Sequence, residues 1–343
     1  MIRRAEGIGN PRDGGIYSPI MSEMIRVPPG KAGRSADEGR SPGEGRSLAR
    51  SVLTGTGLLA AAGAATKLFG LLSSPILTRL AGPSPYGVVA LAATISSLAT
   101  TVAVMGVDLS YTRYFFEGGG AKGEQVERFC WRFSMGTGLA VSVIAGWIWW
   151  WWDDSSDSPG GLGAVVAATT FAAVCMAMAT TRRRVRGGYS RIAAATVTGA
   201  AIGVPLAVFL AWGWRPDEWA MLLGALAGSI ATAAILGVPS ARTLFTRSGL
   251  DRDQRRELLH MGFAGAVTAP MFWVMNSADR WFLGAWAGQG PLGVYAFASG
   301  IGLTGMLINS ALVTAWFPEM SREYETLREN ALGNIGRLWA RFA

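Results

Sequence analysis

From Ser51 onward, long apolar blocks alternate with short polar ones. A membrane crossing takes about 20 predominantly apolar residues. Eight blocks reach that length, at roughly 53–80, 87–110, 133–152, 162–181, 192–214, 219–239, 261–286 and 291–317. The pattern predicts an all-α fold, a polytopic integral membrane bundle of about eight transmembrane helices. Pro75, Pro205 and Pro270 fall inside blocks, as do many glycines. Spans packed on neighbours tolerate both, and small residues let helix backbones approach closely.

Residues 1–50 break the pattern. They are rich in Gly, Pro, Ser and Arg, with nine Lys/Arg against six Asp/Glu. Such a composition buries too little surface to fold and predicts a disordered, mildly basic tail. A secretory signal needs an apolar core within the first ~30 residues, and none is present. Met21 and Met24 offer alternative starts.

The Lys/Arg distribution predicts the orientation. The connections after the second, fourth, sixth and eighth blocks hold 4, 5, 5 and 4 basic residues, at Arg113–Arg132, Arg182–Arg191, Arg242–Arg256 and Arg322–Arg341. The opposite connections hold only Arg215, with Arg79 at their margin. The amino terminus and basic loops are therefore expected in the cytoplasm, with the protein in the cytoplasmic (inner) membrane. The run WIWWWWDDSSDSPG (147–160) then reads as an aromatic belt at the outer interface. A sugar-stacking platform is its sharper alternative.

Composition agrees. The chain is 50% hydrophobic and 16% charged, against about 25% charged in soluble domains. Its net charge of +8 is spread between apolar blocks rather than gathered on one face, so no nucleic-acid partner is expected. Cys130 and Cys175 show neither metal-ligand spacing nor a disulfide framework. With His260 as the one histidine, ending the charged run DRDQRRELLH, no metal or cofactor is implied. GGGAKGE (118–124) lacks the phosphate-loop spacing and a preceding strand, and reads as a flexible turn.

The candidate chemistry lies in ionisable residues inside the spans, which mark substrate or ion paths by default. Lys67 sits near the middle of the first block, on a wheel face with Thr56, Ala60, Gly63, Gly70, Ser74 and Thr78. That face suits a water-filled cavity better than lipid; snorkelling to an interface is the alternative. Thr94, Ser97, Thr101 and Asp108 share a face of the second block, although Asp108 reads equally as an edge acid five residues before Arg113. In the seventh block Asn276, Asp279 and Arg280 form a polar patch at helical spacing. Asp279 has Arg280 or, across the bundle, Arg79 as its expected base; a structural ion pair near the outer interface fits equally. Together these residues predict a polar, basic cavity between spans one, two and seven, suited to an anionic headgroup such as a pyrophosphate.

The stretch Asp279, Arg280, Trp281, Phe282, Leu283, Gly284, followed by Gly293, Val294 and Tyr295, resembles the seventh-span signature of polysaccharide and O-antigen flippases. ILTRLAGPSPYGVVALA (76–92) and MGVDLSYTRYFFE (105–117) are similar to the first-to-second span region of that family. The family belongs to the multidrug, oligosaccharidyl-lipid and polysaccharide exporters, and the resemblance covers about residues 50–325. It implies two bundles rocking about a cavity. The implied cargo is an undecaprenyl-pyrophosphate-linked oligosaccharide, with glycosyltransferases or a polymerase of the same pathway as further partners beside membrane lipids. By position, Lys67, Arg79, Asp108, Asn276, Asp279 and Arg280 become cavity or gate candidates. The implied division is a tail to residue 50, a six-helix lobe over 51–240, a cytoplasmic linker over 241–260, and two helices of a second lobe from 261. Family members usually have twelve or fourteen spans, so the eight here imply a truncated product. A multidrug/cation antiporter, a membrane glycan ligase or polymerase, and a non-transporting scaffold are the alternatives. Lys67 and Arg79 favour an anionic cargo over a cation, and the longest outer loop, DDSSDSPGG, has none of the Arg or His that a ligase uses.

Overall fold

A computed structural model describes residues 42–117, 119–152, 159–239 and 249–302. The chain divides into two units, one ending at Val52 and one beginning at Leu53. The described part of the first, from residue 42, is the helical start of α1 (Pro42–Ala81). Residues 42–50, read from composition as tail, are thus helical. Pro42 suits a first helical position, and Leu48 and Ala49 are good helix formers.

The second unit continues α1 and adds α2 (Pro83–Val104), α3 (Val107–Glu117), α4 (Gly119–Trp152), α5 (Pro159–Val185), α6 (Tyr189–Gly213), α7 (Glu218–Leu236), α8 (Arg252–Trp286) and α9, helical over 289–302. The described residues contain no strand. Among the described residues, seven helical stretches are long and apolar enough to cross a membrane: six lie within α1, α2, α4, α5, α6 and α7, and the seventh is α8. The all-α polytopic bundle expected from the hydropathy pattern is the observed fold. Most of the eighth block, the acidic loop after Trp152, the segment 240–248 and the last basic loop lie outside the described residues.

Three boundaries differ from the pattern. The second block does not run to 110: α2 stops at Val104, and Met105 and Gly106 take left-handed backbone (φ 47° and 68°) before α3 starts. Here the apolar run MGVDLSY continues through a helix break that hydropathy does not register. Gly106 is required because a Cβ would overlap the Gly262 carbonyl of α8. The turn read over 118–124 is, from Gly119, the first turn of α4. Val126, Cys130 and Trp131 are buried, so this polar-looking stretch is an amphipathic extension of the third span. Likewise α8 begins at Arg252, not 261, with Asp251 and Gln254 closing a capping box. His260, at the end of the charged run, is thus an exposed helical residue.

Packing follows small residues. α6 and α7 form the most extensive pair, through Gly199 and Gly203 on one and Gly224 and Gly228 on the other. Each pair has four-residue spacing, so both glycines lie on one helix face. A Cβ on Gly203 would stand 2.7 Å from the Gly224 carbonyl oxygen. Gly146 and Gly163 bring α4 and α5 together in the same way. α8 lies antiparallel to α2: Gly262 meets Gly106, Trp273 Nε1 donates to Ser97 Oγ at 2.7 Å, and Gly284 faces Leu91. Gly293 of α9 then abuts Pro83 and Gly87. Large exposed side chains such as Leu72, Phe209, Trp212, Phe272 and Met275 cover the outside, as expected of a surface solvated by lipid.

Gly224→Val is expected to lower stability by about 1–3 kcal/mol through overpacking of the α6–α7 seam. Gly70→Ala, in α1, has nothing within 4 Å of the added methyl and should be neutral or slightly stabilising. Thermal unfolding of the purified protein in detergent separates the two.

Candidate functional site

Lys67 lies ten residues inside the Gly57–Ala81 span, roughly 15 Å along the axis at 1.5 Å per residue. Its side chain is exposed, and it has no hydrogen bond or ion pair among the described residues. Arg79, in the last turn of α1, is exposed and equally unpaired among them. Asp108 is half-buried in the first turn of α3. It is not on the face of α2 assigned to it, because the break at Met105 and Gly106 separates them. Asn276 turns back on its own helix, its Nδ2 donating to the Phe272 carbonyl at 2.7 Å.

Asp279 has a partner that the sequence reading did not name. Its Oδ2 accepts a hydrogen bond from the Tyr295 hydroxyl of α9, and its Oδ1 accepts from the Arg280 backbone N–H at 2.9 Å. The expected base, Arg79, does not pair with it. The two ends of the signature stretch therefore close on each other and pin the α8–α9 hairpin. The signal was present as an acid and a tyrosine bracketing a Gly-rich turn. Apart from the Arg280 backbone contact, the structure joins none of the six candidates to another among the described residues. An apolar cavity of about 380 Å³ does open among α1, α2, α5, α6 and α7, bordered by Thr66, Tyr86, Gly199 and Met221. None of the six candidates lines it.

Among the described residues, the densest electrostatic cluster lies at the end of the bundle carrying the basic connections. Glu127 of α4 is buried, 7% exposed. Arg186 Nη2 donates to its Oε2 at 2.6 Å, and the Tyr111 hydroxyl donates to the same oxygen at 3.0 Å. Arg182 Nε stands 2.7 Å from Oε1, an ion-pair distance at an angle that makes no hydrogen bond. Burial of Arg186 opposes its charge, but the hydrogen bond and charge of Glu127 prevail and move its pKa up. Burial, then the charge of Glu127, moves the Tyr111 pKa well above its ordinary value, so it stays protonated and donates. A raised tyrosine pKa contributes stability that is complete below the unfolded value near ~10 and is lost as pH rises through the folded one.

The neighbouring arginines close α7. Arg191 Nε donates to the Ile235 carbonyl at 2.7 Å, Arg183 Nε to Leu236 at 2.7 Å, and Arg182 Nη1 reaches Gly237 at 3.4 Å. These are orphan carbonyls at a helix C-terminus, where cations are favoured. From α3, Ser110 Oγ donates to the Leu258 carbonyl at 2.7 Å and the Tyr114 hydroxyl to Glu257 at 2.9 Å. α3 thus straps the start of α8 to the earlier helices. In sequence Arg182–Arg191 read as orientation markers alone, and Glu127 does not stand out. The available signal was one acid between Val126 and the apolar FCW run, facing a triple arginine that needs a countercharge.

Long apolar spans, lipid-facing exteriors and glycine seams define a multi-pass membrane protein. The chain belongs to a family described as polysaccharide biosynthesis protein, whose model matches residues 76–331. The match contains α2 to α9 and every candidate except Lys67. Neither the curated proteins nor the solved structures contain a match.

Glu127→Gln should cost about 2–3 kcal/mol, less than the ~3–5 of a fully buried pair because Arg186 can turn to water. Arg186→Gln should cost less than Glu127→Gln, since Tyr111 and Arg182 remain on the carboxylate. Melting temperatures of the two variants check the order. In a double-mutant cycle, Asp279→Asn and Tyr295→Phe should be non-additive, whereas Asp279→Asn and Arg79→Gln should add.

Proposed function

We propose that this membrane protein flips a lipid-linked oligosaccharide, of the undecaprenyl-pyrophosphate type, from the cytoplasmic to the outer leaflet. It acts as a transporter with no catalytic step of its own. Membership in a polysaccharide-biosynthesis family supports the pathway. The observation that carries the reading is Lys67: an ammonium deep in the α1 span, exposed and without a partner among the described residues. A charge at that depth costs roughly 2.5–3.5 kcal/mol even on lenient scales, and a pyrophosphate passing along α1 offsets that cost. Arg79 and Arg280 supply further positive charge on α1 and α8, while Asp279 serves the hairpin through Tyr295. The amino terminus and the basic end of the bundle face the cytoplasm, where glycosyltransferases assemble the cargo.

Lys67→Ala should abolish complementation of a flippase-deficient strain while the protein still accumulates in the membrane. Lys67→Arg should keep part of the activity, since charge survives in a different geometry. Full activity in Lys67→Ala, with membrane protein quantified alongside, refutes the anionic-cargo reading.

A further inference from the structure

At the basic end, the arginines differ in what they do. Arg182 and Arg186 are held by Glu127, and Arg183 and Arg191 by carbonyls of α7. Arg252, Arg256 and His260 of α8 are exposed and have no hydrogen-bond or ion-pair partner among the described residues. At 100° per residue these three fall on one side of the helix with Leu259, Phe263 and Val267. The apolar three are also exposed, Phe263 at 63%. The basic residues, with Phe263, border an open recess of about 750 Å³ whose described lining comes from α8 alone. One acid, Asp253, stands on its rim. Glu257 is turned away to Tyr114, and Arg255 is engaged by the Leu250 carbonyl.

The axial positions match the layers of a membrane. α8 is 35 residues long, roughly 52 Å, against a hydrocarbon core of about 30 Å. Its first turns therefore reach the headgroup layer, which puts Arg252, Arg256 and His260 among phosphates and Phe263 and Val267 among chains. Arg256 to Val267 spans roughly 16 Å along the axis, about the depth of one leaflet. That reach fits a phospholipid acyl chain, which ends at mid-bilayer.

We propose that this face of α8 binds an anionic phospholipid of the leaflet at the basic end. Arg252, Arg256 and His260 hold its phosphate, and Leu259, Phe263 and Val267 carry one acyl chain. The site is independent of the transport reading, since the bound lipid is a resident of the bilayer and not the cargo.

The test is native mass spectrometry of the full chain in detergent, titrated with phosphatidylglycerol or phosphatidylcholine. Phosphatidylglycerol should be retained preferentially. The double variant Arg252→Gln/Arg256→Gln should lower its apparent affinity on the order of fivefold per arginine removed. Phe263→Ser should weaken binding as well, and excess inorganic phosphate should not displace the lipid, because a phosphate alone lacks the chain. Arg184→Gln is the control: Arg184 is exposed at the same end but lies on α5, and its loss should leave retention unchanged. Unchanged melting of each variant without added lipid establishes that the fold is intact. Any one of four results overturns the proposal: full retention by the double variant, equal loss in Arg184→Gln, equal retention of phosphatidylcholine, or displacement by inorganic phosphate.

Discussion

The buried carboxylate of Glu127 organises one end of this bundle. It sits on α4 and gathers Arg182 and Arg186 from the end of α5 and Tyr111 from α3. The same arginine-rich segment caps the carbonyls of α7. One acid thus fixes the relative height of four helices, a task that apolar side chains sliding on one another do poorly. A buried ion pair is a weak source of net stability once desolvation is counted. Its value here is positional: Arg186 is hydrogen-bonded to the carboxylate, and Arg182 is ion-paired with it while donating to the Gly237 carbonyl.

Glycine seams supply the complementary constraint across the rest of the span. Between helices in lipid the hydrophobic effect gives little drive, so close backbone approach and dispersion have to serve. The α6–α7 seam at Gly199, Gly203, Gly224 and Gly228 and the α4–α5 contact at Gly146 and Gly163 do so within the early helices. α8 is attached to α2 and the turn after it more sparsely, at Gly106, Ser97 and Leu91, with α3 as a strap. The early helices are therefore tightly seamed, while α8 is held by a short series of discrete polar and glycine contacts.

The signature hairpin joins the two themes. Asp279 is taken by Tyr295, Gly293 lets α9 lie against the start of α2, and Trp281 and Leu283 pack on the core shared by α2, α4 and α5. The motif is thus accounted for as structure: acid and tyrosine lock the turn, and glycine admits the neighbour. What it leaves unpaired is basic, with Arg79 and Lys67 on α1 having no partner among the described residues. The exposed, unpartnered charges on α1 and at the start of α8 are thus largely positive among the described residues.

By itself the sequence determined the class: an all-helical, multi-pass membrane protein with its spans nearly in place, and a family signature at Asp279–Tyr295. These follow from hydropathy and residue type, which are local and survive without knowledge of neighbours. The tertiary structure decided the rest. It broke the second span at Met105 and Gly106, because the demand for glycine there comes from a carbonyl on α8, far along the chain. It separated Asp108 from the stripe on α2, and gave Asp279 a hydroxyl in place of a base. Above all it sorted the arginines. Arg182 and Arg252 look alike in sequence, each in a basic connection, yet one is bound to a buried acid 55 residues earlier and the other faces outward. Which charge is spent on the fold and which is left for a ligand depends on the helices that meet, and no one-dimensional pattern carries that.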